Sequence, residues 1–159
     1  MLRELKTLSE IDATVVTSRT RRNMSRIHGR GNRTTERRFR GALVRLGVSC
    51  WVMHPGIPEK PDFFFEVGKV AVYVDGCFWH GCQRCGHVPK TRSAFWQRKF
   101  ELTHRRDRAA VSSLGAKGYR VIRIWEHDIA RDPMRCARRV RDELEATFNL
   151  PPETGVRTG

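Results

Sequence analysis

Two groups of residues in this chain have the types and spacing that metal chemistry needs. The first is acidic. Asp62 opens one run of strand-forming residues and Asp75 closes the next. If the runs pair as a hairpin about Gly68, both carboxylates reach one edge of the sheet. Two carboxylates there suit a hard, oxygen-seeking cation such as Mg²⁺. Such an ion polarises a phosphate, activates water and stabilises the departing oxygen. Glu36 lies seven residues before Leu43, two helical turns away, on an apolar stripe. An inward-facing charge needs a partner, and a metal site supplies one. The plainer alternative is that the aspartates cap a strand and a turn, and that Glu36 sits in a helix's first turn, where acids are favoured.

The second group is Cys77-x4-Cys82-x2-Cys85. Thiolates this close suit tetrahedral Zn²⁺, and a Cys-x2-Cys knuckle is a common half-site. The fourth ligand must come from elsewhere. His127 is the choice, with His87 and Cys136 as competitors. Such a site is closed and structural. His80 lies between the two groups, within Phe78-Trp79-His80. Beside a phosphate it can move protons near neutral pH, although it also rivals His127 as a zinc ligand. Phe78 and Trp79 stand in a polar loop where no core is expected. Aromatics in a basic surface can wedge between base steps. Trp96, near Lys90 and Arg92, is either a third wedge residue or a core residue of its helix.

These groups need a frame. A helix is expected from Thr34 or Thr35, with Phe39, Ala42, Leu43 and Leu46 as its buried stripe and Gly47 as its stop. Ser49 to Met53 reads as a short strand, and 54–61, rich in proline, as a loop. Asp62 to Glu66 and Val70 to Asp75 read as two strands. Residues 76–89 form an irregular insert. A long helix follows over about 93–115, with Trp96, Phe100, Ala110, Val111 and Leu114 on one side. Tyr119 to Glu126 reads as a strand in which apolar residues alternate with arginines. Asp132 caps a last helix that has Pro133 in its first turn and Ala137, Val140 and Leu144 as its stripe. Three strands, a helical crossover and a fourth strand predict an α/β fold, a mixed central sheet flanked by helices. Residues 1–33 are expected to be a flexible basic arm, 34–148 the folded domain and 149–159 a disordered tail.

The partner is legible in the charge. The 159 residues carry a formal +14, which bears on partners rather than on fold. Ten arginines and one acid, Glu36, fall between Ser18 and Arg45. Arginine forks onto phosphates and guanine edges, so nucleic acid is the expected partner, with Arg22 and Arg26 among the candidate contacts. Five cysteines and no apolar leader argue against a secreted disulfide scaffold. A cytoplasmic, monomeric protein away from the membrane is expected.

Lys60-Pro61-Asp62, Asp75-Gly76-Cys77-Phe78-Trp79-His80, Lys90-Thr91-Arg92-Ser93-Ala94-Phe95-Trp96 and Trp125-Glu126, in this order, resemble the very-short-patch-repair (Vsr) endonucleases. The stretch from Arg22-Asn23-Met24 to Glu36 resembles that family's N-terminal segment. The likeness covers about residues 19–128. It implies a restriction-endonuclease-like fold, a structural Zn²⁺, and Mg²⁺-dependent nicking of one strand of duplex DNA at a T:G mismatch. It further implies that Asp62 binds Mg²⁺ together with the main-chain carbonyl at Val74, that His80 transfers protons with Glu36 near it, and that Phe78, Trp79 and Trp96 intercalate. Residues like Met24 and Ile27 would grip the other groove. The chain departs from the better-known members at Asp75, where they have a histidine. Asp75 would add a ligand to the Mg²⁺ site or change the water-activating group. The zinc set, Cys77, Cys82, Cys85 and His127, is rearranged, and the recognition sequence is open. Competing readings are a restriction-type or general DNA nuclease of the same fold, and a non-catalytic zinc-stabilised DNA-binding module.

Overall fold

The computed structural model describes residues 33–86, 88–90 and 92–148. Helix α1 spans Arg33–Arg45, one to two residues earlier than the threonines suggest. Gly47 ends it: at φ +70° its N–H reaches the Val44 carbonyl, and Val48 N–H reaches that of Leu43, each at 3.0 Å. This left-handed stop suits glycine. Strand β1 is only Val52–Met53, shorter than expected, because Cys50 takes a left-handed φ of 65° that interrupts extended backbone. Strands β2, Phe63–Phe65, and β3, Val70–Asp75, form the expected hairpin. Phe63 faces Val72, and Phe65 faces Val70. A Cβ at Gly68, in the hairpin turn, would push aside the end of the Leu144 side chain.

Helix α2, Ser93–Ala116, carries the chain across to β4, Arg120–Trp125. β4 lies parallel to β3, while β1, β2 and β3 are antiparallel. The sheet is therefore mixed, in the order β1-β2-β3-β4. A short helix α3, Glu126–Arg131, was not foreseen. The acids in its first turn, Glu126 and Asp128, complement the helix dipole, so Glu126 leaves the strand instead of extending it. Helix α4 is Pro133–Phe148, and Asp132 caps it by accepting the Arg135 N–H at 2.9 Å.

Helices cover both faces of the sheet. On one face Phe63, Phe65, Val70, Val72, Ile122 and Ile124 pack against Phe39 and Leu43 of α1, Ile129 of α3 and Val140 of α4. On the other, Phe64 and Ala71 meet Leu114 of α2 with Tyr73, Tyr119 and Val121 around them. The inward residues of α2 are Phe100, Thr103 and Leu114. Val111, expected on that stripe, is 36% exposed. None of the described helices is long and apolar enough to cross a membrane. The basic arm, apart from Arg33, and the tail lie outside the described residues.

Candidate active site and cysteine cluster

Asp62 immediately precedes β2, and its Oδ2 accepts the main-chain N–H of Val74 in β3 at 2.7 Å. Glu36 reaches the same place from α1. It is 4% exposed, and His54 Nε2 donates to its Oε2 at 3.1 Å. His54 Nδ1 lies 3.7 Å from Asp62 Oδ1. One ligand atom from each of Glu36, His54 and Asp62 falls within 4.8 Å of the others. Two features point to a cation here. Glu36 Oε1 is buried without a hydrogen-bond partner, and a buried, unsatisfied carboxylate oxygen is costly. Burial, aided by the Glu36 charge, pushes the Asp62 carboxyl up to about 6, so without a positive neighbour the site resists holding both charges. His54 adopts a left-handed φ of 47°, a strain tolerated where surroundings over-determine it.

Asp75 does not join this group. Its carboxylate is buried on the α2 face of the sheet, where Arg123 of β4 takes both oxygens, Nε to Oδ2 at 2.6 Å and Nη2 to Oδ1 at 2.5 Å. The same Nη2 donates to Asp107 of α2 at 2.9 Å. Asp107 also holds His80, with Nδ1 2.8 Å from Oδ2. Burial raises the Asp107 carboxyl, but the His80 hydrogen bond and the Arg123 charge outweigh it and hold it below the usual range. Asp107 is therefore ionised and can only accept, which places the His80 proton on Nδ1. Arg123 Nη2, 3.2 Å from the same nitrogen, spends its two hydrogens on Asp75 and Asp107. His104 fixes the backbone there by donating to the His80 carbonyl at 2.8 Å. These groups line an open cavity of about 420 Å³ with Ser112 and Trp125.

The cysteines converge as a second centre. His127 Nδ1 lies 3.2, 3.6 and 3.4 Å from the sulfurs of Cys77, Cys82 and Cys85, and Cys82 and Cys85 are 3.5 Å apart. Tetrahedral coordination with ordinary zinc bond lengths would give about 3.6 Å for N···S and about 3.8 Å for S···S. The cluster can hold a metal ion. Burial and the Cys85 contact push the lone Cys77 thiol up to about 12, so without a cation three thiolates do not form together. Cys136 is not part of it but packs in the main core, and His87 lies outside the described residues. The N–H of Cys77 donates to Glu126 Oε2 at 3.2 Å, tying the loop to α3.

Between those cysteines, Phe78 and Trp79 meet Trp96 of α2. Ring centroids are 5.2 Å apart for Phe78–Trp79 and 5.1 Å for Phe78–Trp96. The three rings are only half-buried and belong to neither core cluster. Lys99 lies over both indoles, 4.8 Å from Trp79 and 5.3 Å from Trp96, a cation–π arrangement. Lys90 and Arg92 are exposed nearby in sequence. Arg22, Met24, Arg26 and Ile27 fall outside the described residues.

The structure thus brings Glu36 to Asp62, His80 to Asp75, and Cys77, Cys82 and Cys85 to His127. His54, Asp107, Arg123 and Lys99 were missed. Asp107 had a signal, since it lies seven residues after Phe100 and seven before Leu114 and so shares their buried stripe.

A sequence model of the family described as "DNA mismatch endonuclease Vsr" matches residues 13–86. The type II nicking enzyme V.NaeI of Lentzea aerocolonigenes is 35% identical over 83% of this chain and 82% of that protein. V.NmeDIP of Neisseria meningitidis serogroup C, also named a type II nicking enzyme, is 42% identical over 65% and 71%. The DNA mismatch endonuclease Vsr of Escherichia coli is 33% identical over 69% and 65%. Among solved structures, the catalytic domain of homing endonuclease I-Bth0305I is similar at a TM-score of 0.49 and 20% identity, over 72% of this chain and 96% of that one. With relatives this similar along most of their length, the chain belongs to the Vsr family and is a DNA endonuclease.

Proposed function

We propose that this endonuclease nicks one strand of duplex DNA at a T:G mismatch by Mg²⁺-dependent phosphodiester hydrolysis, in very-short-patch repair. The observation that carries the reading is the convergence of Glu36, His54 and Asp62, with a buried Glu36 oxygen left unpartnered. These three side chains would hold the ion, with the Val74 main chain beside Asp62. Bound there, Mg²⁺ supplies charge to the scissile phosphate and lowers the pKa of its water. The chain's own residues do the rest. His80, its Nδ1 proton fixed by Asp107, moves a proton at Nε2. Asp75 takes no part in this metal site and anchors Arg123 instead.

Cys77, Cys82, Cys85 and His127 would hold Zn²⁺, since three soft thiolates and an imidazole suit that ion. The ion would pin the loop that carries Phe78, Trp79 and His80. Phe78, Trp79 and Trp96 would stack where the duplex opens, and Lys90, Arg92 and Lys99 would meet phosphates. Arg22, Met24, Arg26 and Ile27 of the arm would grip the other groove. A T:G wobble pair costs less to pry apart than a matched pair, so entry of the aromatic group selects the mismatch.

The test is nicking of an end-labelled duplex containing one T:G pair, with Mg²⁺ or with a chelator. Wild-type protein should nick one strand only when Mg²⁺ is present. Asp62→Ala should lose nicking and keep DNA binding, because arginines supply the phosphate contacts. Nicking by Asp62→Ala, or in chelator, refutes the metal assignment.

A further inference from the structure

Resting on the nuclease reading above, we propose that Asp75 and Arg123 form a clamp that positions His80 for proton transfer, and that Asp75 serves Arg123 rather than a metal ion. The Asp75 side chain is 4% exposed, and both its oxygens are occupied by Arg123 at 2.5 and 2.6 Å. A bidentate pair fixes the plane of the guanidinium as well as its place. Arg123 also packs over the Tyr73 ring at 5.4 Å, which leaves it little freedom. So fixed, its Nη2 holds Asp107 at 2.9 Å, and Asp107 holds His80 Nδ1 at 2.8 Å. The order Asp75, Arg123, Asp107, His80 links β3, β4, α2 and the aromatic loop. Arg123 keeps its charge at all working pH values, so Asp107 always meets a cation and stays an acceptor. The single orientation this imposes on His80 leaves Nε2 as the nitrogen that exchanges protons. Arg123 Nη2 also lies 3.2 Å from His80 Nδ1 and Asp75 Oδ1 3.7 Å from it, so the pair walls that nitrogen directly as well as through Asp107. Both are positioning residues, since each sets the place of His80 rather than moving the proton.

Arg123→Lys, Asp75→Asn and the double variant Asp75→Ala/Arg123→Ala test the clamp in the full-length protein. Removing one partner of the buried Asp75–Arg123 pair leaves its charge unpaired. The double variant takes Arg123 only from the more exposed Asp107, which keeps His80, so it is the safer to fold. In Arg123→Lys and the double variant, kcat on the T:G duplex should fall about 10- to 100-fold. The KM for DNA and the half-activating Mg²⁺ concentration should stay within about threefold of wild type. Asp75→Asn should keep that Mg²⁺ concentration too. Nitrogen-15 NMR of His80 reads the clamp without any nicking. Wild-type protein should hold a single Nδ1–H tautomer, and the double variant a mixture. A double variant with wild-type kcat and an unchanged His80 tautomer would overturn the proposal. So would an Asp75→Asn protein needing about tenfold more Mg²⁺, which would return Asp75 to the metal site. A wild-type protein that nicks nothing refutes the nuclease reading instead, and the His80 spectrum still judges the clamp.

Discussion

The Asp62 carboxylate accepts the Val74 N–H at 2.7 Å, so the start of β2 and the end of β3 are tied by a side chain as well as by the ladder. The bond holds one Asp62 oxygen and leaves Oδ1 towards His54, 3.7 Å away. It favours the charged carboxylate, yet burial wins and the group titrates at about 6 against an ordinary 3.8.

The first prediction follows from that balance. A proton on Asp62 competes with a cation. The raised value means that affinity is full from about pH 7 upward and falls as the pH drops through about 6. At pH 5 about one molecule in ten keeps the carboxylate, so half-activation should need about tenfold more Mg²⁺ than at pH 7. The metal-free protein carries the opposite sign. Ionising this buried group costs stability as pH rises from about 4 to 6, and Mg²⁺ should restore it. Equal Mg²⁺ requirements at pH 5 and pH 7 would contradict the account.

The cysteine cluster predicts stoichiometric zinc. Elemental analysis of purified protein should find about one zinc per chain. Cys82→Ser should lower Tm by about 10 °C or more, because binding at such a site is coupled to folding. A zinc-free protein as stable as the zinc-loaded one would remove the structural role.

The aromatic group predicts a loss of selectivity. Stacking is worth about 1–3 kcal/mol per base, and unstacking costs a few kcal/mol per step, so a small saving at the mismatch decides entry. Trp79→Ala should lower the T:G rate and the preference over a matched duplex together, while weak binding persists. Lys99→Ala should weaken both in the same direction and by less, since it removes the cation over the two indoles and one phosphate contact but leaves the rings in place. Full T:G preference in Trp79→Ala would make Trp79 a packing residue.

Much of this site was legible in residue spacing, and the rest depended on long-range pairing. Asp62 and Asp75 at the ends of an aromatic run and a valine-rich run gave away the hairpin, and the three cysteines gave away their cluster. His54 was hidden in a proline-rich loop. It reaches Glu36 only because its N–H pairs with the Asp62 carbonyl and its backbone turns left-handed. Arg123 reads as one of the two arginines that interrupt the apolar residues of β4. The parallel register that sets it opposite Tyr73, under α2, comes from a crossover that local pattern does not encode. The same register explains Asp75: two acids at one sheet end look like a metal pair until a guanidinium is brought between sheet and helix. Asp107 was passed over because a single acid on a stripe reads as an interruption rather than as a buried partner.

The most direct test is the ratio of nicking rates on two duplexes identical except for one T:G pair replaced by T:A, in Mg²⁺, across several flanking sequences. In at least one context the T:G duplex should be nicked at least about tenfold faster, the equivalent of about 1.4 kcal/mol of discrimination. Equal rates on both duplexes in every context would contradict mismatch recognition and leave a nicking enzyme of the same family without it.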